Sequence, residues 1–130
     1  SLSERATSTL LQPSERNAMT SQLPLETDVA SVSAMQQSGD DFLLLDVREP
    51  AEYETANIDG STLIPMGELG DRIAELEPHR DRLIVVHCHH GGRSLQVTHA
   101  LRNHGFAQVQ NMAGGIDLWS QEIDSTIPRY

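Results

Sequence analysis

Apolar residues along the chain fall into short continuous runs, separated by segments in which apolar positions recur at helical spacing. Residues 83–86 (Leu-Ile-Val-Val) and residues 42–46 have the length and composition typical of strands that are buried on both faces. A shorter apolar run at 63–64, which Pro65 ends, and the segment at 109–112 predict two more strands. The pattern therefore places four strands along the chain.

The segments between these runs have a helical period. They predict helices over residues 28–38, from residue 67 or 70 to 77, from 94 to about 104 and after Gly114-Gly115, with a helical turn over 50–53. Asp28 is a candidate N-cap of the first helix, whose apolar positions include Val32 and Ala34. Strands that alternate with helices over this length predict an α/β fold, with an open parallel sheet and helices on both faces.

The first 22 residues differ from the rest in composition. They are rich in Ser, Thr, Gln and Asn, and their apolar residues are sparse. We interpret residues 1–22 as an N-terminal extension, either a mobile tail or a docked helix, and residues 23–130 as a single domain.

Composition excludes several classes of partner. The formal net charge is −10 and all nine basic residues are arginine, which argues against nucleic acid and anionic membranes. No apolar run approaches the roughly 20 residues that span a membrane. The single cysteine cannot form an internal disulfide bond, which favours a reducing compartment, so we expect a cytoplasmic protein.

That cysteine, Cys88, lies between the predicted strand at 83–86 and the predicted helix from Ser94. Open α/β sheets place their sites at the carboxyl ends of such strands. Glycines in the connecting loop let successive backbone amides turn toward an anion, and the start of a helix adds positive potential. Arg93 and neighbouring histidines contribute further, so the loop favours a thiolate with a pKa below the ordinary value of roughly 8.5. We interpret Cys88 as a reactive thiol rather than a small buried apolar residue.

Cys88 and Arg93, separated by four residues and followed by Ser94, resemble the active-site loop of the rhodanese sulfurtransferases. Other blocks resemble the family in the same order: Leu43 to Glu49 with Glu52 and Tyr53, Ile64-Pro65 with Leu69, and Gly105-Phe106, Val109, Asn111-Met112, Gly114-Gly115 and Trp119. The resemblance covers residues 24 to 130. It departs at residues 56–61, where Ala-Asn-Ile-Asp-Gly-Ser replaces the family's Gly-His-Ile-Pro-Gly-Ala, a change that concerns a turn more than the chemistry.

The resemblance implies a rhodanese-like sheet of about five strands and a sulfurtransferase that needs no cofactor. Cys88 would take a sulfane sulfur from thiosulfate or a similar small-molecule donor, form a persulfide, and pass the sulfur to a thiol, a protein or another thiophilic acceptor. Cys88 and Arg93 are the candidate catalytic residues. The candidate substrate-binding residues are the rest of the loop: His89, His90, Gly91, Gly92 and Ser94.

Four further side chains have roles in this interpretation. Asp46 and Arg48, at the carboxyl end of their strand, are expected to brace the site through hydrogen bonds and an ion pair rather than to touch substrate. The Arg93 side chain either binds an oxyanion of the donor or forms an ion pair that holds the loop. In both cases its backbone amide belongs to the cradle, the set of loop amides that faces the sulfur of Cys88. His87 is expected to be a packed, hydrogen-bonded histidine.

The sequence leaves alternative functions open. Related phosphatases and arsenate reductases use the same cysteine and arginine on a loop that is one residue longer, so the four-residue spacing here disfavours them. A non-catalytic or sulfur-carrier binding module is the main alternative, although such modules tend to lose the cysteine. A metal site at His-Cys-His-His is disfavoured, because adjacent residues rarely converge on one ion.

Overall fold

The computed structural model describes residues 23–130, and the predicted extension over residues 1–22 lies outside them. The described strands are Glu26–Thr27 (β1), Phe42–Asp46 (β2), Ser61–Leu63 (β3), Leu83–His87 (β4) and Gln108–Met112 (β5). All pair in parallel in the spatial order β1-β5-β4-β2-β3. The predicted open parallel sheet of an α/β fold is confirmed.

Helices cover both faces of this sheet. The helices are Val29–Ser38 (α1), Pro50–Thr55 (α2), Leu69–Arg72 (α3), Gly92–Asn103 (α4) and Gly115–Glu122 (α5), with 3-10 helices at Met66–Glu68 and Ile73–His79. Within residues 23–130, none of them has both the length and the apolar character that crossing a membrane requires.

Strand β4 is the central strand, paired with β2 on one side and β5 on the other. Ile84 and Val86 pack on one face in a core cluster that includes α4, and Val85 packs on the other face with α1 and α5. Because helices cover both faces, every position of the strand interior is apolar and the run has no alternation. Cys88, which follows the carboxyl end of β4, therefore lies near the middle of the sheet, on the side where the parallel strands end.

Local signals set the bounds of α1 as predicted. The Asp28 side chain accepts a hydrogen bond from the Ser31 amide at 2.7 Å, and Gly39 ends the helix in the left-handed region with φ 72°. Ala34, predicted to lie on the core face, is exposed, whereas its neighbour Ser33 is buried.

The segment predicted as one helix from residue 67 or 70 to 77 is instead the short helix α3 between the two 3-10 helices. The second 3-10 helix runs through Pro78, which was expected to stop the segment. Ile73 and Leu76 are three residues apart, and residues at that spacing share a face in a 3-10 helix as well as in an α-helix. Their periodicity alone could not separate the two structures.

Other predicted bounds were wrong by one or two residues, including the helical turn over 50–53, which runs to Thr55 in α2. Strand β3 occupies Ser61–Leu63 rather than 63–64. Helix α4 begins at Gly92 rather than Ser94, so its first amides lie closer to Cys88 than predicted. Strand β1 was not predicted, because it has two residues and its identity as a strand comes from pairing Glu26 with Asn111 of β5.

The turn at residues 56–61, where the chain departs from the family's pattern, is well packed. Ala56 and Ile58 are buried, and Gly60 supplies the positive φ of 84° that the turn requires. The hydroxyl of Ser61 donates to the Ile58 carbonyl at 2.6 Å. The substituted residues thus form a closed turn between α2 and β3.

Candidate active site

Cys88 follows the last residue of β4, and its side chain lies among backbone amides. The residue is 1% exposed. The Gly91 amide lies 3.1 Å from Cys88 Sγ, and the Ser94 amide lies 3.4 Å from it. Gly91 has φ 118°, a left-handed conformation that favours glycine and turns its amide inward. The loop therefore surrounds the sulfur with N–H donors at the start of α4.

Two opposing effects act on the pKa of the Cys88 thiol. Burial raises it, because a thiolate loses hydration. Hydrogen bonds from the Ser94 hydroxyl and from the amides of Ser94, Gly91 and Arg93 favour the thiolate, and together they bring the pKa below its ordinary value. The loop thus favours the nucleophilic form of the sulfur.

Ser94 connects the sulfur to strand β5. Its Oγ lies 3.3 Å from Cys88 Sγ and 2.5 Å from Asn111 Oδ1. A hydroxyl has one hydrogen, so it donates to the thiolate or to the amide oxygen, and a neutral Cys88 can donate its own hydrogen to Oγ. Asn111 is fixed in turn, because its Nδ2 donates to Glu26 Oε2 at 2.8 Å. The Ser94 hydroxyl can therefore form a hydrogen bond with Cys88 in both states, as a donor to the thiolate and as an acceptor from the neutral thiol.

Helix α5 holds the outer side of the same loop. The Ile116 amide donates to the Cys88 carbonyl at 2.9 Å, and the Asp117 amide donates to the His89 carbonyl at 3.1 Å. A Cβ atom at Gly115 would overlap both of these carbonyl oxygens, so the close approach requires glycine. By binding the carbonyls from outside, α5 leaves the loop amides free to face the sulfur.

The Arg93 side chain forms an ion pair with α2. Its Nη1 and Nη2 donate to the two carboxylate oxygens of Glu52 at 2.7 and 2.9 Å. This bidentate contact lowers the pKa of Glu52 to about 2. The Tyr130 hydroxyl also donates to Glu52 Oε2, at 2.8 Å. Of the two interpretations of Arg93, the geometry corresponds to an ion pair that joins the loop to α2.

Asp46 and Arg48 form a fully buried ion pair beside the loop. Both side chains are 0% exposed, and Arg48 Nη2 lies 2.6 Å from Asp46 Oδ2. Arg48 also donates to the carbonyls of Ala56 and Glu52, at 2.7 and 3.3 Å. Burial alone would lower the pKa of Arg48, but the hydrogen bonds to Asp46 raise it, so the side chain stays charged. The pair joins β2 to the middle of α2 at Glu52 and to Ala56, which follows its last residue.

The three histidines beside Cys88 differ in their surroundings. His87 is 0% exposed, and neither ring nitrogen has a hydrogen-bond partner among residues 23–130, contrary to the prediction of a hydrogen-bonded side chain. Burial lowers its pKa to about 4. His89 stacks on Tyr130 with ring centroids 4.0 Å apart, and burial lowers its pKa as well. His90 is largely exposed, with Nδ1 3.9 Å from Asp117 Oδ2. His89 and His90 therefore lie at the outer edge of the loop.

Only some of the predicted site residues contact the sulfur of Cys88. Gly91 and Ser94 contact it directly, while Gly92 is exposed at the start of α4. Sequence reasoning gave no role to four residues that hold the loop in place: Glu52, Asn111, Gly115 and Tyr130. All but Tyr130 lie in blocks that carry the family resemblance, and that was the available signal. Within residues 23–130, no three His, Cys, Asp or Glu side chains are grouped as metal ligands.

Comparisons with known proteins agree with one another. The family model of the rhodanese-like domain matches residues 28–122. A sulfurtransferase of Allochromatium vinosum is 34% identical over 96 residues, which cover 74% of this chain and 88% of that protein. The rhodanese-like/PpiC domain-containing protein 12, chloroplastic, of Arabidopsis thaliana is 39% identical over 95 residues, or 70% of this chain. The match covers 31% of that longer protein, so this chain spans about a third of its length.

Solved structures show the same relationship. The human single-domain sulfurtransferase TSTD1 superimposes with a TM-score of 0.69 at 25% identity, over 77% of this chain and 98% of the human chain.

Proposed function

Because the chain belongs to the family of rhodanese-like domains, we propose that it is a sulfurtransferase that carries a sulfane sulfur as a persulfide on Cys88. One observation supports this most directly. The sulfur of Cys88 is buried, yet it has amide and hydroxyl donors at 3.1 to 3.4 Å that favour its anionic form. An anionic sulfur in a ring of donors is the arrangement that both a thiolate nucleophile and a persulfide anion require.

The first half-reaction loads the enzyme. The Cys88 thiolate attacks the outer sulfur of a donor such as thiosulfate, and the S–S bond of the donor breaks. Sulfite leaves with the bonding electron pair, and Cys88 becomes a persulfide with a terminal negative charge. The amides of Gly91 and Ser94, which contact the thiolate, are placed to stabilise this new anion.

The second half-reaction returns the enzyme to its starting state. A thiophilic acceptor, such as cyanide, a thiol or a partner protein, attacks the terminal sulfur, and the Cys88 thiolate is the leaving group. A low pKa of the thiol assists this step, because a more stable thiolate leaves faster. The cycle requires a reduced cysteine, which accords with a reducing compartment such as the cytoplasm.

The loop residues have distinct roles in this proposal. Cys88 is the catalytic nucleophile, and Gly91 and Ser94 bind the sulfur. Arg93 contributes its amide to the cradle, while its side chain fixes the loop to Glu52. His89, His90 and Gly92 form the edge over which a donor arrives. Asp46 and Arg48 do not contact the sulfur; their buried ion pair supports the site by joining β2 to α2.

A phosphatase is disfavoured by the same geometry. A tetrahedral phosphate needs a larger loop and a free guanidinium, whereas four residues separate Cys88 from Arg93 and the Arg93 guanidinium is occupied by Glu52.

Steady-state kinetics with thiosulfate and cyanide test the proposal. Covalent catalysis in two half-reactions predicts ping-pong behaviour, in which double-reciprocal plots at several cyanide concentrations are parallel. We expect Cys88→Ser to abolish turnover while its urea unfolding curve stays close to that of the wild type, since the substitution is nearly isosteric. A folded Cys88→Ser variant that retains turnover would contradict the mechanism.

A further inference from the structure

The arginines in the described part of the chain are almost all neutralised. Residues 23–130 contain seven arginines, and six of them have a carboxylate oxygen within 3.5 Å of a guanidinium nitrogen: Arg48, Arg72, Arg80, Arg82, Arg93 and Arg129. The seventh, Arg102, donates to backbone carbonyls at the last turn of α4. It lies about 13 Å along the helix axis from Arg93. The cationic side chains near the sulfur are therefore all paired with carboxylates.

Arg93 is the cation whose position matters most, because it lies on the Cys88 loop. Both of its terminal nitrogens are used by the two oxygens of Glu52. The pKa of Glu52 near 2 keeps this carboxylate ionised at neutral pH, so it cancels the charge of Arg93 there. The Tyr130 hydroxyl donates to the same carboxylate at 2.8 Å and holds it in place.

The other groups at the edge of the loop do not replace this charge. Burial lowers the pKa of His89, which disfavours a positive charge on its ring. Asp117, whose carboxylate is paired with Arg129, lies 3.9 Å from His90. A donor that carries two negative charges, such as thiosulfate, therefore meets loop amides and a thiolate, and among residues 23–130 it meets no unpaired arginine.

We propose that Glu52 determines donor specificity: by occupying Arg93 it disfavours dianionic oxyanion donors and favours thiol persulfides, R–S–S⁻. This inference rests on the proposed sulfurtransferase function. The step is balanced for either donor, since Cys88 forms one S–S bond while the donor's S–S bond breaks. Sulfite departs with two negative charges, whereas a thiol persulfide releases a thiolate with one. A persulfide donor thus brings less charge to a site where the guanidinium of Arg93 is already paired with Glu52.

The test is the rate at which each donor loads Cys88. The full chain is mixed with thiosulfate or with cysteine persulfide, quenched at intervals, and followed by the gain of about 32 Da in intact mass. The rate constant for cysteine persulfide is divided by the rate constant for thiosulfate. This ratio is then divided by the same ratio measured for a free thiol such as 2-mercaptoethanol, which removes the intrinsic reactivity of each donor and gives the corrected ratio. We expect the corrected ratio to favour the persulfide by about fivefold or more.

Glu52→Gln is the matched substitution, because it removes the charge and keeps the shape. We expect it to lower the corrected ratio by about fivefold, since thiosulfate gains an unpaired Arg93. Glu77→Gln is the control: Glu77 pairs with Arg80 just before β4, at the opposite end of the strand from Cys88, and should leave the ratio unchanged.

Screening provides a test that needs no variant. Raising the salt concentration from about 0.05 M to 1 M shortens the Debye length severalfold. Because the charges are then screened, the corrected ratio of the wild type should move toward one. A corrected ratio of one or below, a ratio that does not respond to salt, or an unchanged ratio in folded Glu52→Gln would each overturn the inference. If neither donor added sulfur to the wild type, the proposed function itself would fail, and that outcome is distinct from the other three.

Discussion

At the scale of single residues, the reactivity of Cys88 depends on a balance between burial and hydrogen bonding. Burial raises the pKa of the thiol, and the donors from Ser94, Gly91 and Arg93 lower it further than burial raises it. The Ser94 hydroxyl is the largest of the lowering effects, and it is also the one donor that is a side chain. It can therefore be removed by mutation without changing the backbone.

Ser94→Ala should raise the pKa of Cys88 and slow its alkylation. Loss of one hydrogen bond to the thiolate predicts a rate with iodoacetamide at pH 7 that is lower by about fivefold. The pH at which the alkylation rate reaches half its maximum should also move upward. Both quantities follow from alkylation rates measured between pH 5 and pH 10.

Ser120→Ala is a matched control for this experiment. Ser120 is also a buried serine on a helix, but it donates to the Ile127 carbonyl in the other core cluster. It should not alter the alkylation profile. If Ser94→Ala reacted like the wild type at every pH, the Ser94 hydroxyl would have no part in stabilising the thiolate.

The sequence predicted the residues of the Cys88 loop, because they are contiguous and their types point to one chemistry. It did not reveal what holds them. Glu52 lies 41 residues from Arg93, and Asn111 lies 17 residues from Ser94, so these contacts depend on the tertiary fold. The environment of His87 was also mispredicted, because hydrogen bonding at a strand end depends on neighbouring strands that a single run does not show.

At the scale of elements, the loop is fixed between two helix N-termini. Helix α4 begins within the loop and presents its amides to the sulfur, while α5 binds the carbonyls of Cys88 and His89 from the other side. Gly115 makes this arrangement possible, since it lies against both carbonyls with φ 59°. Gly115, the first residue of α5, thus acts on the site although it does not touch the sulfur.

Gly115→Ala should distort the Cys88 loop. A Cβ atom there overlaps backbone oxygens, which cannot rotate away as a flexible side chain would, and the residue is in the left-handed region. We expect the free energy of unfolding to fall by about 1 to 3 kcal/mol and the alkylation rate of Cys88 to fall with it. Urea denaturation and iodoacetamide kinetics measure the two effects.

Gly70→Ala serves as the control for this substitution. Gly70 lies inside α3 without a positive φ, and a Cβ atom there would meet no other atom within 4 Å. It should retain both stability and reactivity. Full stability and reactivity in Gly115→Ala would show that the contact between α5 and the loop does not constrain Cys88.

The sequence predicted elements best where apolar runs are long. Strands β2 and β4 and helix α1 have continuous or strongly periodic patterns and clear end signals, and they were predicted within a residue. Strand β1 consists of Glu26 and Thr27, which are too few residues to form a recognisable strand pattern, and it exists because β5 offers an unpaired edge. The region around α3 was mispredicted because spacing by three residues fits two kinds of helix.

At the scale of the whole molecule, the sheet separates two apolar clusters, one on each face. This arrangement followed from the sequence, since strands buried on both faces need helices on both sides. His87 lies at the carboxyl end of the central strand with no solvent contact. It faces Asp46 at 4.0 Å, and Arg48 is paired with that carboxylate, so protonation of His87 adds an uncompensated charge to the interior.

Protonation of His87 should therefore destabilise the fold in mild acid. Burial lowers the pKa of His87 to about 4 in the folded state, below the ordinary value of about 6.5. Between these values the unfolded chain binds the proton and the folded chain does not, so stability falls as the pH falls through this window. We expect a loss of about 2 kcal/mol between pH 7 and pH 5 from this residue.

Urea denaturation at pH 7 and pH 5 measures this loss, with His87→Gln as the test variant. The variant cannot take up the proton, so its stability should change less between the two pH values than that of the wild type. His99→Gln, at an exposed position on α4, should keep the wild-type difference. An equal pH dependence in His87→Gln and the wild type would contradict the assignment to His87.

The central claim is that Cys88 forms a persulfide, and intact-protein mass spectrometry tests it most directly. After incubation with a large excess of thiosulfate, the wild type should gain about 32 Da, the mass of one sulfur atom. Cyanide added afterwards should remove this mass, and Cys88→Ser should never acquire it. An unmodified wild-type mass in the presence of readily alkylated Cys88, or a gain that persists in Cys88→Ser, would contradict the account.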